Sequence, residues 1–245
     1  NTRLLQQDFF AKIVNYRRSV RVYDAQAEID EQVIQKSLEL ATLSPNSSNM
    51  QLWEFVWVSS PEKKEAIAKA CFNQSAARTA PHLIIFLTRQ DRWKNMAQWN
   101  LDNIKKQFQG KELTGRDKRA MDYYGKLMPL FYRNDWFGFM TLLRKLIILV
   151  KGFNRPFLRV SSHADQRVMV HKSCALAAQT FMLSMASHQY DTCPMEGFDS
   201  RLVKKLIDAP AGAEVCMIVA CGKGTEEGVY AARTRVPSDE VIRKI

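Results

Sequence analysis

The sequence predicts a protein built from both helices and strands, and three observations carry that prediction. Short apolar runs stand at Phe55-Val56-Trp57-Val58, Leu83-Ile84-Ile85-Phe86-Leu87 and Val215-Cys216-Met217-Ile218-Val219-Ala220, long enough for buried strands. Stretches of helical apolar spacing separate them. The 245 residues, 46% hydrophobic, suffice for a sizeable core within one domain spanning 1–245.

In chain order, residues 8–16 and 30–43 read as helices: Ile29, Val33, Ile34, Leu38 and Leu40-Ala41 recur at helical spacing, and Asp30 can cap the second. Phe55–Val58 follows as a strand. Pro61-Glu62 opens a short helix through about Ala70, because proline is tolerated in a first turn. After the strand Leu83–Leu87, residues 92–163 carry aromatic and paired basic residues with no strand pattern, and read as a helical insertion. Within it, Phe139, Leu143, Leu146, Val150 and Phe153 share one face of a helix over 137–153. From Trp136 to Ala164 there is no acidic residue, against five basic ones: Arg144, Lys145, Lys151, Arg155 and Arg159. Only Leu146 to Val150 is continuously apolar, far short of the ~20 residues a spanning helix needs. Residues 166–188 form a long, mostly apolar helix whose Ala175, Ala177, Ala178 and Ala186 permit close packing, centrally or at a subunit interface. Pro194-Met195-Glu196-Gly197-Phe198-Asp199 reads as a turn. Gly197 at its centre would let a flat ligand lie against backbone N–H groups, since no Cβ intervenes.

The net charge of +11, from 36 Lys+Arg against 25 Asp+Glu, points to an anionic partner. A phosphate-bearing cofactor, a quinone at a membrane surface and nucleic acid all satisfy it. No nucleic-acid-binding motif accompanies the charge, so nucleic acid is not expected. Five cysteines without C-x-x-C spacing imply neither a disulfide framework nor a zinc ribbon, and favour a reducing, cytoplasmic setting. His82, His163, His171 and His188 lack metal-ligand spacing, and no metal is expected. The run Gly222-Lys223-Gly224-Thr225-Glu226-Glu227-Gly228 has the wrong spacing for a dinucleotide fingerprint, and neither a P-loop nor G-x-S-x-G occurs.

Four segments, in this order, resemble the FMN-dependent nitroreductase family: Arg17-Arg18-Ser19-Val20-Arg21, Ser44-Pro45-Asn46-Ser47-Ser48-Asn49-Met50-Gln51-Leu52-Trp53, the Pro194–Asp199 turn, and Arg233-Thr234-Arg235-Val236-Pro237. The resemblance covers about 1–91 and 166–245. It implies an α+β fold with a mixed sheet flanked by helices, and a homodimer in which the C-terminal segment wraps onto the partner and the active site lies between subunits. It implies FMN as cofactor, NADH or NADPH as reductant, and a small-molecule acceptor such as a nitroaromatic or quinone, the two taking turns at one face.

On that resemblance Arg17, Arg233 and Arg235, with Arg18 beside them, grip the phosphate; Ser19 stands near the phosphate and ribityl chain; and Arg21 stabilises the reduced ring, where many members have lysine. Pro45, Asn46, Ser47 and Asn49 belong to a loop that crosses to the partner's flavin. Asn73 matches an amide that contacts the ring or ribityl chain, but a lysine found three residues later in some members is Ala76 here. Pro194 and Met195 lead into Glu196 and Gly197, whose backbone approaches flavin N5, the hydride-exchanging atom. The alternative reading is a peripheral membrane or partner-binding protein acting through the basic amphipathic helix 137–153, with surface contact over 137–160 and any flavin merely structural.

Overall fold

The computed structural model describes residues 2–134 and 137–245. Trp136, where the acid-free stretch begins, lies outside them. Helix α1 (Thr2–Tyr16) is longer than read from sequence. Helix α2 (Glu31–Thr42) starts where Asp30 dictates, its carboxylate accepting from the Gln32 N–H at 2.9 Å. Strand β1 (Trp53–Val58) leads to α3 (Pro61–Ala70), capped by Ser60 with Pro61 in its first turn, and then to a short α4 (Ser75–Thr79). Strand β2 (His82–Thr88) precedes the insertion.

Among the described residues, every regular element of the stretch read as an insertion is helical, as the sequence predicts: α5 (Trp93–Gln107), α6 (Gly115–Asp122), a π-helical turn over Tyr123–Leu127, α7 (Met128–Tyr132) and α8 (Phe139–Lys151). The chain then returns through α9 (His163–Ser187), set by a capping box in which Ser162 and Asp165 satisfy each other's backbone N–H groups. Strand β3 (Asp191–Met195), α10 (Ser200–Leu206) and β4 (Glu214–Gly222) follow, and the C-terminal segment ends in a turn of helix, α11 (Ser238–Val241).

The four strands pair in the order β1-β2-β4-β3. The α+β class stands with one correction: among the described residues every strand pair is antiparallel where the resemblance implies a mixed sheet, and the parallel pairing is confined to the bridge Ser19–Thr192. A second correction concerns Pro194 and Met195, which extend β3 instead of opening a turn. Pro194 is tolerated because β3 is an edge strand, where a missing N–H need not interrupt a ladder.

Alternation along the strands builds two cores. Leu83, Ile85 and Leu87 face Ile67, Ala77 and Val203 from α3, α4 and α10, while Ile84 and Phe86 face Ile34, Ala178 and Phe181 from α2 and α9. The insertion forms a third cluster around Met50, Ala97, Met128 and Tyr132, where the aromatic rings of Trp93 and Tyr132 stack. Among the described residues no helix is long and apolar enough to cross a membrane, and no group of three or more His, Cys, Asp or Glu could hold a metal ion.

Candidate functional site

Beyond β4 the chain turns back over its own N-terminal segment. The backbone of Arg21 donates to Gly228 at 2.9 Å, and that of Val20 to Thr192 at 3.1 Å, so residues 19–22 lie between β3 and the returning tail. Gly228 is required there. A Cβ on it would stand 2.7 Å from the Val22 carbonyl oxygen and 2.6 Å from Cγ1 of Val20.

This crossing makes a concavity of about 380 Å³ lined by Arg17, Arg18, Ser19, Arg21 and residues 229–235, including Arg233 and Arg235. The five residues expected at the phosphate end, Arg17, Arg18, Ser19, Arg233 and Arg235, therefore meet, and Arg21, expected beside the ring, lies with them. Among the described residues none of the five arginines enters an ion pair. Burial, and then the charges of Arg233, Arg235 and Arg18, draw the Arg17 guanidinium below the usual arginine value. It stays protonated, but the direction records a repulsion that a bound anion would relieve.

The arginines are not equivalent. Arg233 donates to the carbonyls of Val14, Asn15 and Arg17, closing the C-terminal end of α1, and Arg18 donates to Ala231 at 2.6 Å. These two tie the tail to the helix. The Arg21 guanidinium lies 5.1 Å from the centre of the Tyr230 ring.

From the Ser19–Thr192 bridge, β3 runs on to Glu196 and Gly197; at ~3.3 Å per residue the step from Thr192 to Met195 is about 10 Å. Glu196 and Gly197 are exposed, and among the described residues their backbone N–H groups donate to nothing. The Gly197 carbonyl accepts from the Gln74 side chain, which also donates to Cys71 at 3.0 Å. Asn73, left-handed at φ +53°, thus shares a corner with Gly197, although neither lines the arginine concavity. Gln74, which the sequence reading passed over, holds that corner together. A Cβ on Gly197 would come 3.1 Å from its Nε2.

Pro45, Asn46, Ser47 and Asn49 lie elsewhere on the same chain. Their loop is anchored by α9, where Ser173 receives the Ser47 N–H at 3.3 Å, and by the insertion. Asn49 and the buried Asn100 exchange amide contacts at 3.0 and 2.9 Å; Tyr123 meets the Ser48 hydroxyl at 2.6 Å; and Tyr124 donates to the Ser48 carbonyl at 3.0 Å. Asn100, Tyr123 and Tyr124 have no signature in the sequence, because nothing local links them to residue 48.

Residues 14–223 match the nitroreductase family. The chain belongs to that family. YdgI of Bacillus subtilis, provisionally named an NAD(P)H nitroreductase, is 25% identical over 240 residues, covering 97% of this chain and 98% of YdgI. A B. subtilis structure, YdfN, provisionally described as a nitroreductase, superposes with a TM-score of 0.75 at 21% identity, covering 98% of this chain and all of that one. Another, from Exiguobacterium sibiricum in complex with FMN, gives 0.66 at 23% identity over 96% of this chain and 97% of that one.

This nitroreductase-family chain departs from the sequence reading in its insertion. Arg144, expected on a basic face of the helix, is buried and donates to the carbonyls of Arg133 and Ser161. The remaining face is apolar: Phe139, Leu142, Leu146, Leu149, Val150 and Phe153 all point outward, with Leu143 half-buried. A separate polar cluster joins α9 to β4. Arg167 holds the Glu214 carboxyl well below its ordinary range, at about 2, and His171 stands 3.0 Å from the same carboxylate. The Cys216 sulfur, then Glu214, raise His171. All five cysteines are free thiols.

Proposed function

We propose that the chain works as a homodimeric FMN-dependent oxidoreductase, taking a hydride equivalent from NADH or NADPH and delivering it to a small-molecule acceptor such as a nitroaromatic or quinone. Bound FMN supplies a two-electron centre able to exchange hydride. The reading rests on one observation, the concavity of about 380 Å³ whose five arginines carry no counter-ion among the described residues. Such a site fits a phosphate dianion.

Arg17 and Arg235 bind the phosphate, because Arg18 and Arg233 are committed to long-range bonds that tie the tail to the end of α1, whereas Arg235 donates only to the carbonyl of its neighbour Thr234. Arg21, steadied over Tyr230, sets a positive charge beside the ring edge that becomes anionic on reduction. The unpaired N–H groups of Glu196 and Gly197 orient the ring at the end of β3, with Asn73 beside them. Pro45, Asn46, Ser47 and Asn49 complete the partner's site, held out by Asn100 and the two tyrosines. A single exposed face serves donor and acceptor in turn, so kinetics of double displacement are expected.

The test is spectroscopic. Protein equilibrated with FMN and then gel-filtered keeps the yellow flavin bands and bleaches anaerobically on addition of NADH or NADPH; protein that emerges colourless overturns the reading. A second role is favoured by the outward face of α8, whose apolar stripe is flanked by Lys145 and Lys151 with no acidic residue across 137–164: contact with an anionic bilayer surface. Co-sedimentation with anionic but not neutral liposomes supports it, and absence of both removes it.

A further inference from the structure

Beneath α8 lies a second, half-open cavity of about 570 Å³, inside the ~300–1,000 Å³ range of small-molecule sites. Its walls are aliphatic and aromatic: Leu130, Phe131, Ile147, Ile148, Leu158 and Met169. Its polar atoms gather at one end, where Ser47, Ser48 and Tyr123 close it with the 2.6 Å hydroxyl pair between Ser48 and Tyr123. Arg144 also reaches the wall, but its guanidinium is engaged with the carbonyls of Arg133 and Ser161. The interior therefore suits a neutral chain better than a carboxylate.

The polar end belongs to the loop that, on the flavoenzyme reading, faces the flavin. We propose that this cavity binds the aliphatic chain of a lipophilic electron acceptor, a molecule with a flat reducible head presented at Ser47 and Ser48 and an alkyl or isoprenoid tail running under α8. For a quinone head the balance is NAD(P)H + H⁺ + quinone → NAD(P)⁺ + hydroquinone, with the tail chemically unchanged. The assignment rests on the function proposed above only for the head; the tail site stands on the cavity itself. No nitroaromatic of ordinary size needs such a compartment.

Two measurements test it separately. In the first, the fluorescence of N-phenyl-1-naphthylamine, a neutral apolar probe, rises saturably on titration with the protein and falls on addition of 1-dodecanol. Ile147→Trp and Leu158→Trp, which fill the cavity, abolish the rise, whereas Leu149→Lys on the outer face of α8 leaves it. Absence of saturable enhancement, or enhancement lost with Leu149→Lys, overturns the proposal whether or not flavin binds and whether or not the tryptophan variants fold. In the second, the FMN-loaded enzyme reduces benzoquinones carrying methyl, butyl and octyl chains. A fully buried methylene is worth about fourfold, so burial of even two or three of the seven added methylenes raises kcat/KM about tenfold or more from methyl to octyl. In Ile147→Trp the ratio of octyl to methyl kcat/KM falls to about one. A flat profile in an enzyme that holds FMN and turns over the methyl compound refutes the tail site alone; failure to hold FMN refutes the flavoenzyme reading, leaving the probe titration to decide the cavity.

Discussion

The arginine concavity and the apolar cavity of the insertion are built by opposite means. The first joins residues more than two hundred positions apart, fixed by backbone hydrogen bonds from residues 20 and 21 to β3 and the returning tail, so its geometry is inherited from the sheet. The second is walled largely by helices between β2 and α9, which join the rest through the hydrogen bonds of Asn100, Tyr123 and Tyr124 and through the third cluster, where Met50, Leu52 and Val170 pack with Ala97, Met128 and Tyr132. On the proposed function, cofactor binding is thereby tied to the sheet, and acceptor choice to the helices between β2 and α9.

That contrast can be broken at several points. Replacing Arg17 and Arg235 together by Ala removes two charge-assisted contacts, each worth ~1.5–3 kcal/mol, so FMN affinity should fall about a hundredfold or more with little change in melting temperature. Flavin-fluorescence titration reads the first and circular dichroism the second; near-normal affinity would detach the arginines from the cofactor. Arg144→Met leaves buried carbonyls without donors and should destabilise the insertion by about 3 kcal/mol. Hydrogen exchange would then quicken across 128–160 while β2 and β4 keep their protection, and uniform quickening would show that the two regions unfold as one. Asn100→Ala should loosen only the loop over 46–51, by ~1–2 kcal/mol, seen as proteolysis there with FMN binding by the arginines retained.

The smallest effect is pH-dependent. His171 is raised by Cys216 and Glu214, so its contribution is complete below the ordinary histidine value near ~6.5 and is lost as pH rises through its folded value. Glu214, pushed down to about 2, contributes above the ordinary carboxylate range and weakens only as pH approaches that value. The gap in denaturation midpoint between wild type and His171→Gln should be widest near pH 5.5 and close by pH 9. A gap that widens with pH would contradict the raised value.

Much of the frame was legible because local chemistry decides it. Asp30 caps α2, Pro61 enters α3, and the runs at 83–87 and 215–220 cannot be other than interior. The arginine segments were readable as a pattern, and their meeting follows from Gly228, whose missing side chain admits Val22. What escaped was non-local. Pro194 reads as a turn until its strand proves to lie at an edge. The stripe on α8 has helical periodicity, but periodicity does not say which way it faces; the return of residues 156–161 beneath the helix buries Arg144 and sends Leu146 and Val150 outward.

The π-helical turn at Tyr123–Leu127 carries a last consequence. Two consecutive tyrosines of that turn both reach Ser48, Tyr123 at its hydroxyl and Tyr124 at its carbonyl. The turn's one surplus residue acts as a phase shifter. Removing Gly125 would restore uniform winding, swing α7 around its own axis and carry the far wall of the apolar chamber away from the loop, retuning what fits while leaving every arginine in place.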